Sequence, residues 1–177
     1  MGRTNSKTIN PATGEVLEEF AMATGEDLEP MIQKLSKAQE EWRNIKAEAR
    51  RIALEKVAKK MLASKEVLAK SISLEMGKPI SQSRLEVEKS VDWIQFSAES
   101  VQRLANDFPG AISQTRYRRD PLGVILGVMP WNFPCWQTVR FAIPAIAMGN
   151  AALLKPASNV ARTSLILKDI FSELPLP

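Results

Sequence analysis

The sequence predicts an α/β protein in which helices pack around the opening strands of a parallel sheet. Its 177 residues are enough for one domain with a sizeable core. The main support is the stretch 121–158, where an apolar run, a helix-length segment and a second apolar run follow one another. Strand, helix and strand in this order form a βαβ unit, whose crossover is almost always right-handed.

Before this unit, the chain predicts a hairpin followed by helices. The Asn-Pro-Ala-Thr-Gly sequence at 10–14 favours a turn between two short extended segments. Thr24 can then cap a helix, with Asp27 as its capping-box partner. Apolar residues recur at helical spacing in four segments, which are 28–42, 47–63, 65–76 and 81–104.

The segment 111–120 alternates enough to predict a strand, with Arg116 and Arg118 on one face. A basic strand could contact phosphate, but charged residues also protect an exposed sheet edge from pairing with other chains. We favour edge protection because no second basic element accompanies this strand.

The first strand of the βαβ unit is predicted at 122–129, with an apolar composition that suits burial on both faces. Pro130 ends it, and residues 131–134 form a proline-bracketed corner. The following helix contains Pro144, which should kink or break it. Gly149 and Asn150 stop that helix, and the second strand, 151–154, leads directly into Lys155. A last helix is predicted at 161–174.

Two polar residues, Asn132 and Lys155, follow the two strands of this unit. Ligands of open α/β sheets bind beyond the carboxyl ends of the strands, so both side chains should face one crevice. An amide at position 132 could donate to an oxygen that becomes negative during attack on a carbonyl, which is typically worth ~3 kcal/mol. Alternatively, Asn132 only ties the corner together through backbone hydrogen bonds.

Lys155 offers three donors for ribose hydroxyls or a phosphate, and the helix N-terminus after it favours anions. The alternative is an ordinary surface lysine. Ser158 can donate to a 2′-phosphate, which a carboxylate at that position would repel, but it can equally serve as the cap of the last helix.

These motifs resemble the NAD(P)-dependent aldehyde dehydrogenase superfamily. The resemblance rests on Pro-Trp-Asn-Phe-Pro at 130–134, Lys-Pro-Ala-Ser at 155–158 and the upstream Glu-Met-Gly-Lys-Pro at 75–79. It covers the whole chain, which corresponds to roughly the N-terminal third of a family member. The semialdehyde dehydrogenases, including succinate-semialdehyde dehydrogenase, are the most similar branch.

The resemblance implies that residues 1–177 are the N-terminal part of a doubly wound, Rossmann-like dinucleotide-binding domain with an incomplete sheet. It implies that 111–120 start the β extension used in subunit contacts and that the catalytic domain is absent. Asn132 would stabilise the oxyanion, and NAD or NADP would be the cofactor. The implied cofactor contacts are Trp131, Asn132, Lys155, Pro156, Ala157 and Ser158. Trp131 could equally be only a core aromatic.

Cys135 is the one cysteine of the sequence, and the chain has no histidine. We reject Cys135 as a nucleophile because it lies in an apolar stretch with no neighbouring base to form the thiolate. The resemblance implies that the family's nucleophile and general base lie beyond residue 177. Without histidine, no histidine-based metal site is expected.

The expected function is therefore the NAD(P)-dependent oxidation of an aldehyde, such as succinate semialdehyde, to the acid. This chain would supply the cofactor-binding and oxyanion-stabilising part and would be inactive in isolation. The alternative is a non-catalytic, truncated fragment that associates with full-length subunits. By resemblance, the full-length protein is expected to be a homo-oligomer.

Composition and charge exclude other classes of protein. The net charge of +4 comes without a clustered basic face bearing aromatic residues, which argues against nucleic-acid binding. Pro130 and Pro134 interrupt the long uncharged run at 121–139, which argues against a membrane span. The polar start shows no signal peptide, and a single cysteine fits a reducing compartment, so we expect a cytoplasmic protein.

Overall fold

The computed structural model describes residues 5–105 and 108–176. Within them the strands are β1 (Asn5–Ile9), β2 (Val16–Ala21), β3 (Phe108–Pro109), β4 (Arg116–Tyr117), β5 (Val124–Val128) and β6 (Ala151–Lys155). The helices are α1 (Gly25–Arg43), α2 (Ala47–Ala63), α3 (Lys65–Met76), α4 (Ile80–Ala105), α5 (Pro134–Ala147) and α6 (Ala161–Phe171). A 3₁₀ turn, Ser158–Val160, precedes α6. The predicted α/β class is confirmed.

The N-terminal half follows its local sequence signals closely. Strands β1 and β2 pair antiparallel, as predicted for a hairpin. The backbone N–H of Thr24 donates to the Asp27 carboxylate at 2.8 Å, so the expected reciprocal cap begins α1. Helices α2 and α3 have the predicted bounds, and α3 ends at Gly77, whose left-handed φ of +73° favours glycine.

The core lies between the helices, where α2, α4, α5 and α6 pack on one another. Its largest fully buried side chains are Leu54, Met61, Leu68, Ile72, Ile94, Ile143, Leu167 and Ile170. Burial of this many aliphatic side chains supplies the main force that holds these helices together, at about 25 cal/mol per Å² of apolar surface.

The apolar spacing predicts that Ile52 and Leu85 face the core, and both predictions are wrong, because the buried stripe of each helix is narrower than its apolar content suggests. Helix α4 buries Val87, which lies four residues before Val91 on the same stripe, whereas Leu85 is 62% exposed. In α2, Leu54 is fully buried, while Ile52 is 43% exposed.

Helix α1 is joined to the end of α5 by side-chain hydrogen bonds. The indole N–H of Trp42 donates to the carbonyl of Ile146 at 2.8 Å, and the Gln39 amide donates to the carbonyl of Gly149 at 2.9 Å. The Ile146 carbonyl also accepts from the backbone N–H of Gly149 at 2.9 Å, so the indole adds a second hydrogen bond at this helix end. Pro144 was expected to kink or break α5, but the helix continues to Ala147.

Strands β5 and β6 are hydrogen-bonded neighbours and run parallel. Helix α5 connects them along the chain, which completes the predicted βαβ unit. One face of β5 packs on α5 so closely that a Cβ added at Gly127 would lie 2.5 Å from Cε1 of Phe141. The other face is open, since Leu126 and Val128 are 60% and 66% exposed. The prediction of burial on both faces is therefore wrong at Leu126 and Val128, although α1 also contacts β5 and β6.

The strand predicted at 111–120 is largely a turn. Thr115 N–H donates to the Ile112 carbonyl at 3.1 Å, and Gly110 N–H donates to the Thr115 carbonyl at 2.9 Å. Only Arg116–Tyr117 pairs as a strand, with Phe108–Pro109. The backbone reverses at Gln114, whose φ is +68°, and this reversal prevents a continuous strand.

Among the described residues, no helix is both long and apolar enough to cross a membrane.

Candidate functional site

The candidate site is built on the carboxyl ends of β5 and β6, which finish level with each other. Val128, the last residue of β5, is the register partner of Lys155, the last residue of β6. The next backbone N–H, that of Met129, donates to the Lys155 carbonyl at 3.0 Å and extends the pairing beyond the strand. The residues that follow both strands therefore leave the sheet at the same edge.

After β5, the chain turns through a corner at 130–133, and Pro134 begins α5. Proline suits the first turn of a helix because its missing N–H is not needed there. Trp131 is 52% exposed, so it is not a core aromatic within the described chain. Asn132 is also exposed, and its side-chain amide makes no hydrogen bond with another described residue. The alternative that this amide ties the corner together thus has no bond to support it.

The corner and the start of α5 are instead held by contacts with α4 and with the loop that follows α3. Glu86 is buried and accepts hydrogen bonds from the backbone N–H groups of Cys135 and Trp136, at 3.0 and 3.1 Å. These are donors of the first turn of α5, so Glu86 caps that helix from a distant part of the chain. Lys78 pairs with Glu86 and donates to the Asn132 carbonyl. The charge pattern of this helix predicts Glu86 on its solvated face together with Arg84, Glu88, Lys89 and Glu99, and this prediction is wrong for Glu86, which is buried.

After β6, the chain presents the Lys-Pro-Ala-Ser sequence at 155–158. Lys155 and Ser158 are exposed, and Pro156 and Ala157 are half-buried between them. The Lys155 ammonium makes no ion pair or hydrogen bond with residues in the described part of the chain. The Ser158 hydroxyl makes no capping bond to α6 either.

The N-terminus of α6 is already occupied by a carboxylate. Glu75, which is buried, accepts from the backbone N–H groups of Arg162 and Thr163, both at 2.8 Å, and from the Thr163 hydroxyl at 2.6 Å. The expectation that this helix end would assist a bound anion therefore differs from the structure, because a negative group already uses these donors. Any anion at this edge has to rely on the side chains of Lys155 and Ser158.

Cys135 lies just inside α5 and is fully buried. The pKa of its thiol is raised from the ordinary value of 9.0 to about 12, mainly by burial and in smaller part by the nearby Glu86 carboxylate. The Sγ atom lies 3.4 Å from the Ser90 hydroxyl and has no path to solvent. This thiol is therefore neither ionised at neutral pH nor accessible to a substrate.

A short groove lies beside the corner. Its volume is about 240 Å³, and it is lined by Gln82, Leu85, Glu86, Lys89, Phe133 and Trp136. The Lys89 ammonium stands 4.2 Å from the centre of the Trp136 ring at this groove. The Glu86 carboxylate in this lining is paired with Lys78, so an apolar wall and the Lys89 cation remain for a short organic molecule bearing a negative charge. In the described ranges, no three acidic, cysteine or histidine side chains are grouped so as to hold a metal ion.

The ends of β5 and β6 place polar side chains at the edge of a parallel sheet where open α/β proteins bind ligands, and comparison with known proteins gives the family. Residues 2–177 match the model of the aldehyde dehydrogenase family, to which the chain belongs. It is 37% identical to the succinate semialdehyde dehydrogenase [NAD(P)+] Sad of Escherichia coli, over 98% of this chain.

Solved structures give the same result. The succinic semialdehyde dehydrogenase of Streptococcus pyogenes, solved with NADP+, superposes with a TM-score of 0.90 and 28% identity over 95% of this chain. Aldehyde dehydrogenase 21 of Physcomitrella patens, solved with succinate, gives 0.89 and 31% over 99%. The chain spans 38% of the length of each of these three relatives.

Proposed function

We propose that this chain supplies the cofactor-binding and oxyanion-stabilising part of an enzyme that oxidises a semialdehyde, such as succinate semialdehyde, with NAD or NADP. The supporting observation is the placement of Lys155 at the end of β6 and of Asn132 in the corner after β5, where the carboxyl ends of the two parallel strands are level. Both side chains are exposed, and neither polar end is used by the described fold. Polar groups left free at this edge of a parallel sheet are available for a ligand.

The residues after β6 fit a dinucleotide. When bound, its nicotinamide accepts a hydride from the substrate. The Lys155 ammonium has three donors, which suit ribose hydroxyls or a phosphate, and the exposed Ser158 hydroxyl can donate to a 2′-phosphate. Pro156 and Ala157 hold these two side chains apart, and Trp131 offers an exposed ring at the same edge. NADP is therefore accommodated as well as NAD, as the named cofactors of the relatives suggest.

Asn132 acts on the substrate rather than on the fold. Its amide N–H donates to the carbonyl oxygen as that oxygen gains negative charge, and a donor fixed in advance needs no rearrangement during the reaction. The groove beside Asn132, with its apolar wall and the Lys89 cation, suits a short semialdehyde with a carboxylate at its far end.

The chain by itself is proposed to be inactive. Cys135 is the one cysteine of the sequence, and its raised pKa and burial prevent thiolate attack. A thiol nucleophile therefore has to come from outside residues 1–177.

Residues 1–177 are proposed as the first part of the cofactor-binding domain, with 111–120 as the start of an extension used in homo-oligomer contacts. The turn of this extension carries Ile112, which is 73% exposed, and Tyr117 on β4 is 53% exposed. Exposed apolar side chains on a projecting hairpin suit a contact between subunits.

The test is a chimaera in which residues 1–177 replace the matching part of the Escherichia coli relative. We expect NADP-dependent oxidation of succinate semialdehyde. Asn132→Ala should lower kcat by about 10²–10³-fold with little change in KM, because the lost bond forms mainly in the transition state. Lys155→Met should raise the KM for NADP, whereas Lys168→Met, an exposed lysine of α6, is the control.

A folded chimaera in which Asn132→Ala keeps full turnover would overturn the oxyanion role. Turnover of aldehyde by the 177-residue chain would overturn its proposed inactivity. If the chimaera does not fold, titration of the 177-residue chain with NADP decides the cofactor role, since binding must weaken in Lys155→Met and not in Lys168→Met.

A second candidate is a non-catalytic fragment that associates with full-length subunits. The open face of β5, with Leu126 and Val128 exposed, favours it, since this face can pack against another chain. Co-expression with a full-length relative separates the two candidates: a stable mixed complex that forms equally well with Asn132→Ala and Lys155→Met supports the fragment.

A further inference from the structure

The corner that carries Asn132 rests on a buried ion pair. Lys78 lies in the loop between α3 and α4, and Glu86 lies on α4. Their side chains are 6% and 1% exposed, and this is the most buried ion pair among the residues that the structure describes. Such burial is costly, because both charges lose their hydration, and an apolar pair of similar size often stabilises a fold equally well.

Each member of the pair holds a different end of the corner. The Lys78 ammonium donates to the backbone carbonyl of Asn132 at 3.0 Å and stands 3.8 Å from the centre of the Phe133 ring. Glu86 accepts from the backbone N–H groups of Cys135 and Trp136. The pair therefore holds the Asn132 carbonyl within the corner and the first backbone N–H groups of α5 after it.

These contacts fix the backbone from which the Asn132 amide projects. The side chain of Asn132 makes no hydrogen bond of its own with the described residues, so the described fold fixes its position only through the backbone that carries it. That backbone is held at its carbonyl by Lys78. A displaced donor matters, because a shift of about 1 Å at a reacting group can cost about 100-fold in rate.

We propose that Lys78 and Glu86 are positioning residues, which orient the Asn132 amide toward the developing oxyanion without touching the substrate. This inference rests on the proposed function. The ion pair gives a structural role to part of the Glu-Met-Gly-Lys-Pro sequence at 75–79. Gly77 ends α3 in a left-handed conformation, and the chain then brings Lys78 into contact with the corner.

The first experiment uses the 177-residue chain and needs no activity. In Lys78→Met and Glu86→Gln, we expect faster hydrogen exchange at the amides of Cys135 and Trp136 and shifted NMR signals of the Asn132 side-chain NH₂. Glu75→Gln is the matched control, because Glu75 is equally buried and caps α6 instead of α5. Unchanged signals in Lys78→Met and Glu86→Gln would overturn the inference, whatever the role of Asn132.

The second experiment uses the chimaera. We expect Lys78→Met to lower kcat by about 10–100-fold with an unchanged KM for NADP. In the Asn132→Ala background, the same substitution should change kcat less than about 2-fold, since it acts through the amide already removed. A full, multiplicative loss in that background would overturn the inference, whereas a fully active Asn132→Ala single variant would overturn the proposed function instead.

The double variant Lys78→Met/Glu86→Gln separates positioning from stability. With both charges removed, no lone buried charge remains, so the melting temperature should recover toward that of the unchanged chain. The kcat should stay low, because the Asn132 carbonyl still lacks its donor. Recovery of kcat together with the melting temperature would show a merely structural role and overturn the inference.

Discussion

Cys135 shows at the level of a single residue how packing determines chemistry. The thiol is adjacent in sequence to the corner that carries Asn132, yet it points into the core between α4 and α5. Desolvation favours the neutral thiol, and the Glu86 carboxylate opposes a second negative charge nearby. Cys135 is close in sequence to Asn132, but the burial of its side chain keeps the thiol out of the candidate site.

The raised pKa of Cys135 predicts a pH dependence of stability. Between pH 9 and about 12 the unfolded chain loses the thiol proton and the folded chain keeps it, so the free energy of unfolding falls as pH rises. The fall due to this group is up to about 1.4 kcal/mol per pH unit. Urea unfolding across this range should show a steeper loss for the unchanged chain than for Cys135→Ala. Parallel curves would show that the thiol ionises as readily in the fold as outside it.

At the scale of secondary-structure elements, buried carboxylates join helices that are far apart in sequence. Glu75 on α3 caps α6, and Glu86 on α4 caps α5. Each carboxylate satisfies two backbone donors that the first turn of a helix leaves unpaired. The negative charge also lies at the positive end of the helix dipole. The start of α6 thus needs no cap from Ser158, which was the alternative to a phosphate contact for this residue.

Glu75→Gln should therefore destabilise the chain by about 2 kcal/mol, because it weakens charge-assisted hydrogen bonds to buried donors. The measurement is urea unfolding followed by circular dichroism. Glu66→Gln is the control, since Glu66 pairs with Arg84 at the surface, with 65% and 44% of the two side chains exposed. That change should cost less than about 0.5 kcal/mol. Equal losses in the two variants would contradict the capping role of Glu75.

At the scale of the whole molecule, the parallel sheet leaves apolar side chains of β5 exposed. Helix α5 covers one side of β5, and on the other side Leu126 and Val128 project from the strand. Leu122, just before the strand, is 90% exposed. Two strands form a small sheet, and an open apolar face of this kind is prone to association.

The 177-residue chain should therefore self-associate. Sedimentation velocity should show oligomers whose fraction falls in Leu126→Thr/Val128→Thr, since threonine keeps the β propensity and lowers the apolar area. Leu165→Thr removes an equally exposed apolar side chain from α6 and should leave the distribution unchanged. A sharp monomer peak with a cooperative melt for the unchanged chain would contradict this prediction.

Much of the fold was predictable because its signals are local. The cap at Thr24, the glycine after α3 and the apolar spacing of α2 and α3 act within a few residues, and the structure has them where the sequence predicts them. The turn at 110–115 was missed because alternation resembles a strand until Gln114 reverses the backbone. The order strand, helix, strand placed Asn132 and Lys155 at one edge of the sheet, since parallel strands share a carboxyl end.

By itself, the sequence determined the α/β class, the family motifs and the two side chains that follow β5 and β6. Only the tertiary structure decided which charges are buried, that Glu75 rather than a bound anion occupies the start of α6, and that Lys78 and Glu86 hold the corner. The physical reason is distance along the chain. Glu86 lies 49 residues from Cys135, and Glu75 lies 87 residues from Arg162. No local pattern records a hydrogen bond that forms only when distant helices pack together.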